Sequence, residues 1–265
     1  MSDPRITLPT PHPKTMFQGQ IIRPSTTLYD NKSLRSGQQT ELLFGQRFSV
    51  HAQSRLWVWG QAYPLVKNSQ RAGYVGYVSR KAISQALTSA THTVIALRAP
   101  VFSAANIKSR IRMALPMNSL VHAIEETDDF IKLSTEHFIH KKHVRSQAAA
   151  IGEDFVSVAL KFIGAPYVWG GTGMMGVDCS GLVQMAFCAA GKDAPRDADM
   201  QEAALGETVA GALKRGDLIF WPGHVGIMTD SETLLHANAF HMATAQEPYA
   251  DAVARIGTPR SIKRL

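Results

Sequence analysis

The sequence predicts an α+β protein: two small β-barrels in the first half, then a domain whose helices precede an antiparallel sheet. Three observations point there. The runs Gln46-Arg-Phe-Ser-Val-His51, Leu56-Trp-Val-Trp59 and Gly73-Tyr-Val-Gly-Tyr-Val-Ser79 are β-prone and separated by turn residues, as in a small barrel. The pattern then recurs weakly: Ser119–Ile124 aligns with Gln46–His51, Phe130–Leu133 with Leu56–Trp59, and His137–His140 takes the place of the Tyr74 strand. From Ser146 the texture changes to helical spacing followed by three short β runs, the order of an α+β domain.

The predicted organisation has four parts. Residues 1–20, with Pro4, Pro9, Pro11 and Pro13, form an extended arm. Residues 21–90 and 91–145 form the two barrels, and 146–265 the last domain. In that domain Phe155, Val158, Ala159 and Phe162 share one helix face, closed by Gly164 and Pro166. The glycine-rich turn Trp169-Gly-Gly-Thr-Gly173 leads to a helix from Cys179 to Ala190, ended by Gly191. Strands follow over 217–221, 224–229 and 233–237.

Composition narrows the function classes. With 45% hydrophobic and 18% charged residues, the 265-residue chain can bury a core, which argues against disorder. The net charge of +7 favours acidic partners, but the basic residues are scattered, without the stripe a nucleic-acid binder shows. The two cysteines, Cys179 and Cys188, lack metal-ligand spacing. On one helix they would stand about 13 Å apart, too far for a disulfide. The first residues lack the apolar run of a signal peptide, and no stretch is apolar and long enough to span a bilayer, so the expectation is a soluble cytoplasmic protein.

Asp178-Cys-Ser-Gly is the strongest local signal. Asp178 is suited to cap the helix, which puts Cys179 in its first turn, where the dipole and free N–H groups favour a thiolate and could stabilise an oxyanion. Cys188, among Met185, Ala186, Phe187 and Ala189, reads as a packing residue. A thiol nucleophile needs a base held by a third polar group. His224 opens a strand directly after Pro222-Gly223, and His236 ends the next. A three-residue loop at 229–231 would set the two histidines directly opposite, while a two-residue loop would put them on opposite faces. His241 falls past the strand end.

These residues bring a resemblance with them. Tyr167-Val-Trp-Gly-Gly171, Asp178-Cys-Ser-Gly-Leu182, Gly216-Asp-Leu-Ile-Phe220, Gly223-His-Val-Gly-Ile227 and His236-Ala237 are similar to the NlpC-type, papain-like cell-wall cysteine peptidases, over about residues 150–245. The two upstream barrels resemble bacterial SH3-like domains. The resemblance implies Cys179 as nucleophile, His224 as general base and acid, His236 as its orienter, and Tyr167 as support for the oxyanion site. It further implies that Asp178 and Ser180 hold the free amine of the substrate, that Tyr74 closes the same pocket, and that Trp169 lines the groove. Chemistry agrees, since an ammonium suits a carboxylate and aromatic faces. Equally, Asp178 could only cap its helix, Tyr74 could only fill its barrel, and Arg196 could brace a loop by pairing with an Asp.

The implied reaction is hydrolysis of the γ-D-Glu–diamino acid bond, the third residue being diaminopimelate or lysine, in murein peptides with a free N-terminal L-Ala. The setting would be wall recycling or remodelling. No cofactor, metal, nucleic acid or membrane partner is called for. A wall-binding protein with a vestigial peptidase domain, or another papain-like amidase or acyltransferase, are the alternative readings.

Overall fold

The computed structural model describes residues 3–66 and 69–265. Met1 and Ser2 of the expected arm, and Lys67 and Asn68 of the expected first barrel, lie outside the described residues. The chain divides into two compact units, 1–150 and 151–265.

The first unit is built from two β assemblies. One comprises β1 (Phe17–Ile21), β2 (Ser25–Tyr29), β3 (Gln38–Leu43), β4 (Arg47–Gln53), β5 (Trp57–Ala62), β6 (Val75–Ser79) and β7 (Ile83–Ser84). The other comprises β8 (His92–Val94), β9 (Arg98–Phe102), β10 (Ile111–Pro116), β11 (Leu120–Val121), β12 (Ala123–Glu126), β13 (Phe130–Leu133), β14 (Phe138–His140) and β15 (Val144–Ser146). The first set pairs in the order β3-β2-β6-β5-β4-β1-β7. The second repeats this order as β10-β9-β14-β13-β12 and β11-β8-β15. The single difference is that the strand equivalent to β4 is broken into β11 and β12. In both assemblies a 3-10 turn precedes the last strand.

The bulges align as well. His51 is skipped between the Val50–Gly60 and Ala52–Trp59 pairs, and Ile124 between Ala123–Leu133 and Glu125–Lys132. This equates His51 with Ile124, and it equates Phe130 with Trp57 instead of Leu56, one residue from the expected alignment. Each first-unit sheet has two ends, as a half-barrel does. Ile21, Leu28, Leu43, Phe48, Val50, Val58 and Val78 fill the interior of the first assembly, and Val94, Val101, Leu115, Ile131 and Ile139 that of the second.

The expected arm is shorter than its proline pattern suggests. Residues 17–20 belong to β1, which pairs with β4 and β7, and Gly19 lets the strand lie close against Ile83. Upstream, the Arg5 carbonyl accepts from Val75 N–H at 2.8 Å and the Ile6 carbonyl from Gln61 Nε2 at 2.8 Å. Hydrogen bonds to its backbone therefore hold this part of the extended arm in place.

The second unit is α+β. It contains α1 (Phe155–Leu160), α2 (Cys179–Ala189), α3 (Ala198–Ala204), β16 (Glu207–Thr208), β17 (Leu218–Trp221), β18 (His224–Met228), β19 (Thr233–Asn238), β20 (Ala243–Pro248), α4 (Tyr249–Ile256) and β21 (Ser261–Arg264). The six strands form one antiparallel sheet, β16-β21-β17-β18-β19-β20. α2 is apolar nearly all round because it is enclosed: α1 packs on it through Phe155 and Phe187 (centroids 4.6 Å apart), and it also packs on β18 and β19. Ala252 of α4 packs with Ile219, Trp221, Met228 and Leu234. Among the described residues no helix is long and apolar enough to cross a membrane.

Candidate active site

The chain reaches Cys179 through a turn that the sequence sets up residue by residue. Tyr167 bridges to Val177, and its N–H donates to the Met242 carbonyl at 3.0 Å, which fixes both ends of the glycine-rich loop. Asp178 then caps α2, accepting from Gly181 N–H at 2.6 Å. Cys179 is the first residue of the helix, and its thiol donates to the Gly223 carbonyl at 4.0 Å. Gly223 sits at φ +71° in the two-residue Pro222-Gly223 turn between β17 and β18. That left-handed conformation is open to glycine at little cost, and it delivers His224 as the next residue.

His224 and His236 meet as expected, by a different register. The β18–β19 ladder pairs Ile227 with Leu235 and Met228 with Leu234, two residues out from the directly opposed arrangement. Asp230 causes the shift: its Oδ1 accepts from the N–H groups of Glu232 and Thr233, both at 2.8 Å, which moves the turn to 230–232. A shift of two keeps both histidines on one face, now as diagonal neighbours. His236 lies beside Gly226, where an added Cβ would approach the His236 Cβ to 3.3 Å. His224 Nε2 and His236 Nδ1 are 2.8 Å apart.

The electrostatics correct the expectation of a thiolate. Burial is the main force pushing the Cys179 thiol up, to about 11, and the negative charge of Asp178 adds to it. The N–H groups of Val225 and Ser180, and the Arg196 cation, oppose this only in part. The residue that creates the helix cap thus also places an anion beside the sulfur. His224 is lowered to about 4, first by burial and then by its neighbour His236. Burial thus favours a neutral thiol at Cys179 and a neutral imidazole at His224.

These shifts fix a pH dependence. A base lowered to about 4 is competent above that pH and is lost as pH falls through it, so the acid limb of kcat/KM should lie near pH 4 and not near the ordinary 6.5. Between those two values the unfolded chain binds the proton better, so stability also falls on acidification. A pH–rate profile checks the first point; an acid limb centred at 6.5 or above would show an unperturbed histidine.

The other expected site residues divide. Tyr167 is half-buried, and its hydroxyl is raised to about 12 by burial and by the charges of Cys179 and Asp178, which places a neutral phenol near the sulfur. Trp169 is 70% exposed on the loop that follows. Asp178 and Ser180 flank the sulfur but turn inward. Arg196, itself buried, donates Nη1 to Asp178 Oδ1 at 2.9 Å, Nη2 to Asp178 Oδ2 at 2.7 Å, and Nη1 to Ser180 Oγ at 3.0 Å. Gly170 N–H and the Ser180 hydroxyl also donate to the Asp178 carboxylate. Asp178 and Ser180 are thus held by a buried brace from Arg196, whatever else they meet. Tyr74 belongs to the first unit, where it is buried and its carbonyl accepts from Ala62 N–H at 2.9 Å.

Two further residues join the site without any signal in the sequence motif. Glu247 of β20 accepts from His236 Nε2 at 2.6 Å, and Arg255 of α4 grips the same carboxylate, with Nη1 donating to Oε2 at 2.8 Å. His241 stands aside, bonded to Asn238. His236, His241 and Glu247 present ligand atoms within 4.8 Å of one another, but the His236–Glu247 hydrogen bond already joins two of the three. Cys188 is a half-buried residue of α2.

A thiol at a helix start, bonded to the carbonyl of the residue before a histidine that a second histidine holds, belongs to an arrangement that can form and break an acyl-thioester. Fold and site together define a cysteine peptidase, a hydrolase. Residues 164–255 match the NlpC/P60 family. Over 212 residues the chain is 26% identical to the γ-D-glutamyl-L-lysine dipeptidyl-peptidase of Bacillus subtilis strain 168, covering 75% of this chain and 72% of that protein. Over 94 residues it is 44% identical to a probable endopeptidase of Corynebacterium glutamicum strain R, covering 34% of this chain and 44% of that one. In fold it is similar to an NlpC/P60 family protein from Bacillus cereus ATCC 10987, with a TM-score of 0.77, 17% identity, and coverage of 93% and 99% of the two chains.

Proposed function

We propose that this chain hydrolyses the bond between γ-D-Glu and a diamino acid in murein peptides that begin with a free L-Ala, and that it does so in the cytoplasm, on fragments returned from the wall. The observation that carries the reading is the 2.8 Å His224–His236 bond one residue from the carbonyl that receives the Cys179 thiol. The relative that aligns over most of the chain is named for a γ-D-glutamyl bond. In this reading Cys179 attacks the γ-carbonyl carbon while His224 takes the thiol proton. The N–H groups of Ser180 and Val225 lie near the sulfur, suitably placed to meet the developing oxyanion. His224 then protonates the departing amine of the diamino acid, and water releases the acyl group by the reverse path. Tyr167 and Trp169 offer aromatic faces to the substrate's ammonium. The two β assemblies of the first unit read as SH3-like modules.

The test is mass spectrometry of digests of L-Ala-γ-D-Glu-diaminopimelate, its lysine counterpart, the N-acetylated forms, and intact wall. The expected result is release of L-Ala-D-Glu from the free tripeptide, with acetylation sharply impairing cleavage. Equal cutting of capped peptide or of intact wall would reject the free-amine, recycling reading. Cleavage of a different amide bond would favour another papain-like amidase.

A further inference from the structure

Glu247 is a buried carboxylate for which the Cys179–His224–His236 chemistry as described has no use. It lies on β20, whose ladder sets Leu234 against Glu247 and His236 against Ala245, so Glu247 is the diagonal neighbour of His236 on the same face. Arg255 holds its oxygens, which keeps the carboxyl below the usual carboxylate range and therefore ionised. An ionised carboxylate only accepts hydrogen bonds.

The protons in the chain of rings follow from this. The 2.6 Å contact requires His236 Nε2 to carry hydrogen. His236 is fully buried, and burial favours its neutral form. A neutral imidazole has one N–H, so His236 Nδ1 is an acceptor. The 2.8 Å contact then requires His224 Nε2 to donate. His224 Nδ1 is left with a free lone pair, the form that can take a proton from a thiol. Were His236 to carry its hydrogen on Nδ1, the order would reverse: His224 would hold its hydrogen on Nδ1 and could not act as a base. The groups that bear on His236 are His224 of β18, Glu247 of β20, Arg255 of α4 and the neighbouring ring of His241, with centroids 6.4 Å apart. Of these only Glu247 selects between the two arrangements.

We propose that Glu247 is a positioning residue for the reaction, fixing through His236 which nitrogen of each histidine bears the proton and thereby holding His224 Nδ1 open as the base. The proposal rests on reading Cys179 and His224 as the reacting pair. The test uses the full chain with 15N-labelled histidine at pH 7, and kinetics on the free tripeptide. In the unmodified protein the nitrogen signals of His224 and His236 should both report Nε2–H. In Glu247→Gln, which keeps the shape but can present a donor, both should become tautomer mixtures. There kcat should fall about 10- to 100-fold with KM within about twofold, less than the ~10⁴-fold cost when a carboxylate directly on the base is neutralised. Glu247→Asp, which keeps the charge, should recover most of the rate and the Nε2–H signals. Unchanged tautomers and unchanged kcat in Glu247→Gln would overturn the proposal while turnover remains dependent on Cys179; loss of that dependence would instead reject the parent reading. If Glu247→Gln does not fold, the unmodified spectrum still decides, because an Nδ1–H signal from His224 rules the proposal out.

Discussion

Serine in place of Cys179 should lower turnover of the free tripeptide by about 10⁴-fold or more, the scale seen when a nucleophile that works as a unit with its base is removed. The site is matched to sulfur. A base lowered to about 4 is weak, and a hydroxyl gives up its proton far less readily than a thiol. The neighbouring Asp178 charge penalises any anion that forms at position 179. The exchange of oxygen for sulfur is nearly isosteric, so the fold and KM should survive. Product release followed by chromatography checks this, with Cys188→Ser as the comparison expected to keep its activity. Turnover of Cys179→Ser within tenfold of the unmodified protein would remove Cys179 from the chemistry.

The largest stability effect should come from Arg196→Met. The Arg196 guanidinium spans both Asp178 oxygens, Ser180 Oγ and the Gly171 carbonyl, all in a buried setting. Removing the cation strands the Asp178 charge, a loss of about 3–5 kcal/mol for a broken buried pair. It also takes away a group that partly offsets the upward push on the Cys179 thiol. Hydrogen exchange at the α2 amides measures the local loss. Adding Asp178→Asn should recover part of it, since the stranded charge goes with it. A single-variant loss below 1 kcal/mol would show that water reaches Asp178 and the brace is dispensable.

Much of this site was legible because its residues sit in short local motifs. The Asp178 cap, the helix that follows and the His224 strand after Pro222-Gly223 each depend on neighbours within a few positions. The histidine pairing is insensitive to the shift of two set by the Asx turn at Asp230, because face depends only on whether the offset is even. The charge state of Cys179 depends on more than its local motif. A cap residue advertises the helix dipole in the sequence, whereas the burial that outweighs it depends on packing from distant elements. Nothing local shows that Arg196, farther along the chain, braces Asp178 and Ser180. Glu247 and Arg255 left no trace, one residue in an unremarked strand and the other on a helix behind it. In the first unit, the recurrence of strand patterns was visible even without the glycines that punctuate the first copy.

That recurrence also bears on how the chain leaves the ribosome. In each copy the opening strand pairs with the closing one: Gln20 with Ser84, and His92 with Ser146. At roughly 5–20 residues per second, the last strand emerges several seconds after the first, and until then the opening strand waits as an unfilled edge. Long-separation pairs of this kind make assembly slow once the strands are present. Among the described residues no strand ladder joins the two copies, so the first can finish while the second is still being made. Duplication in this arrangement divides one long wait into two shorter ones, and limits how much sticky edge is exposed at any moment.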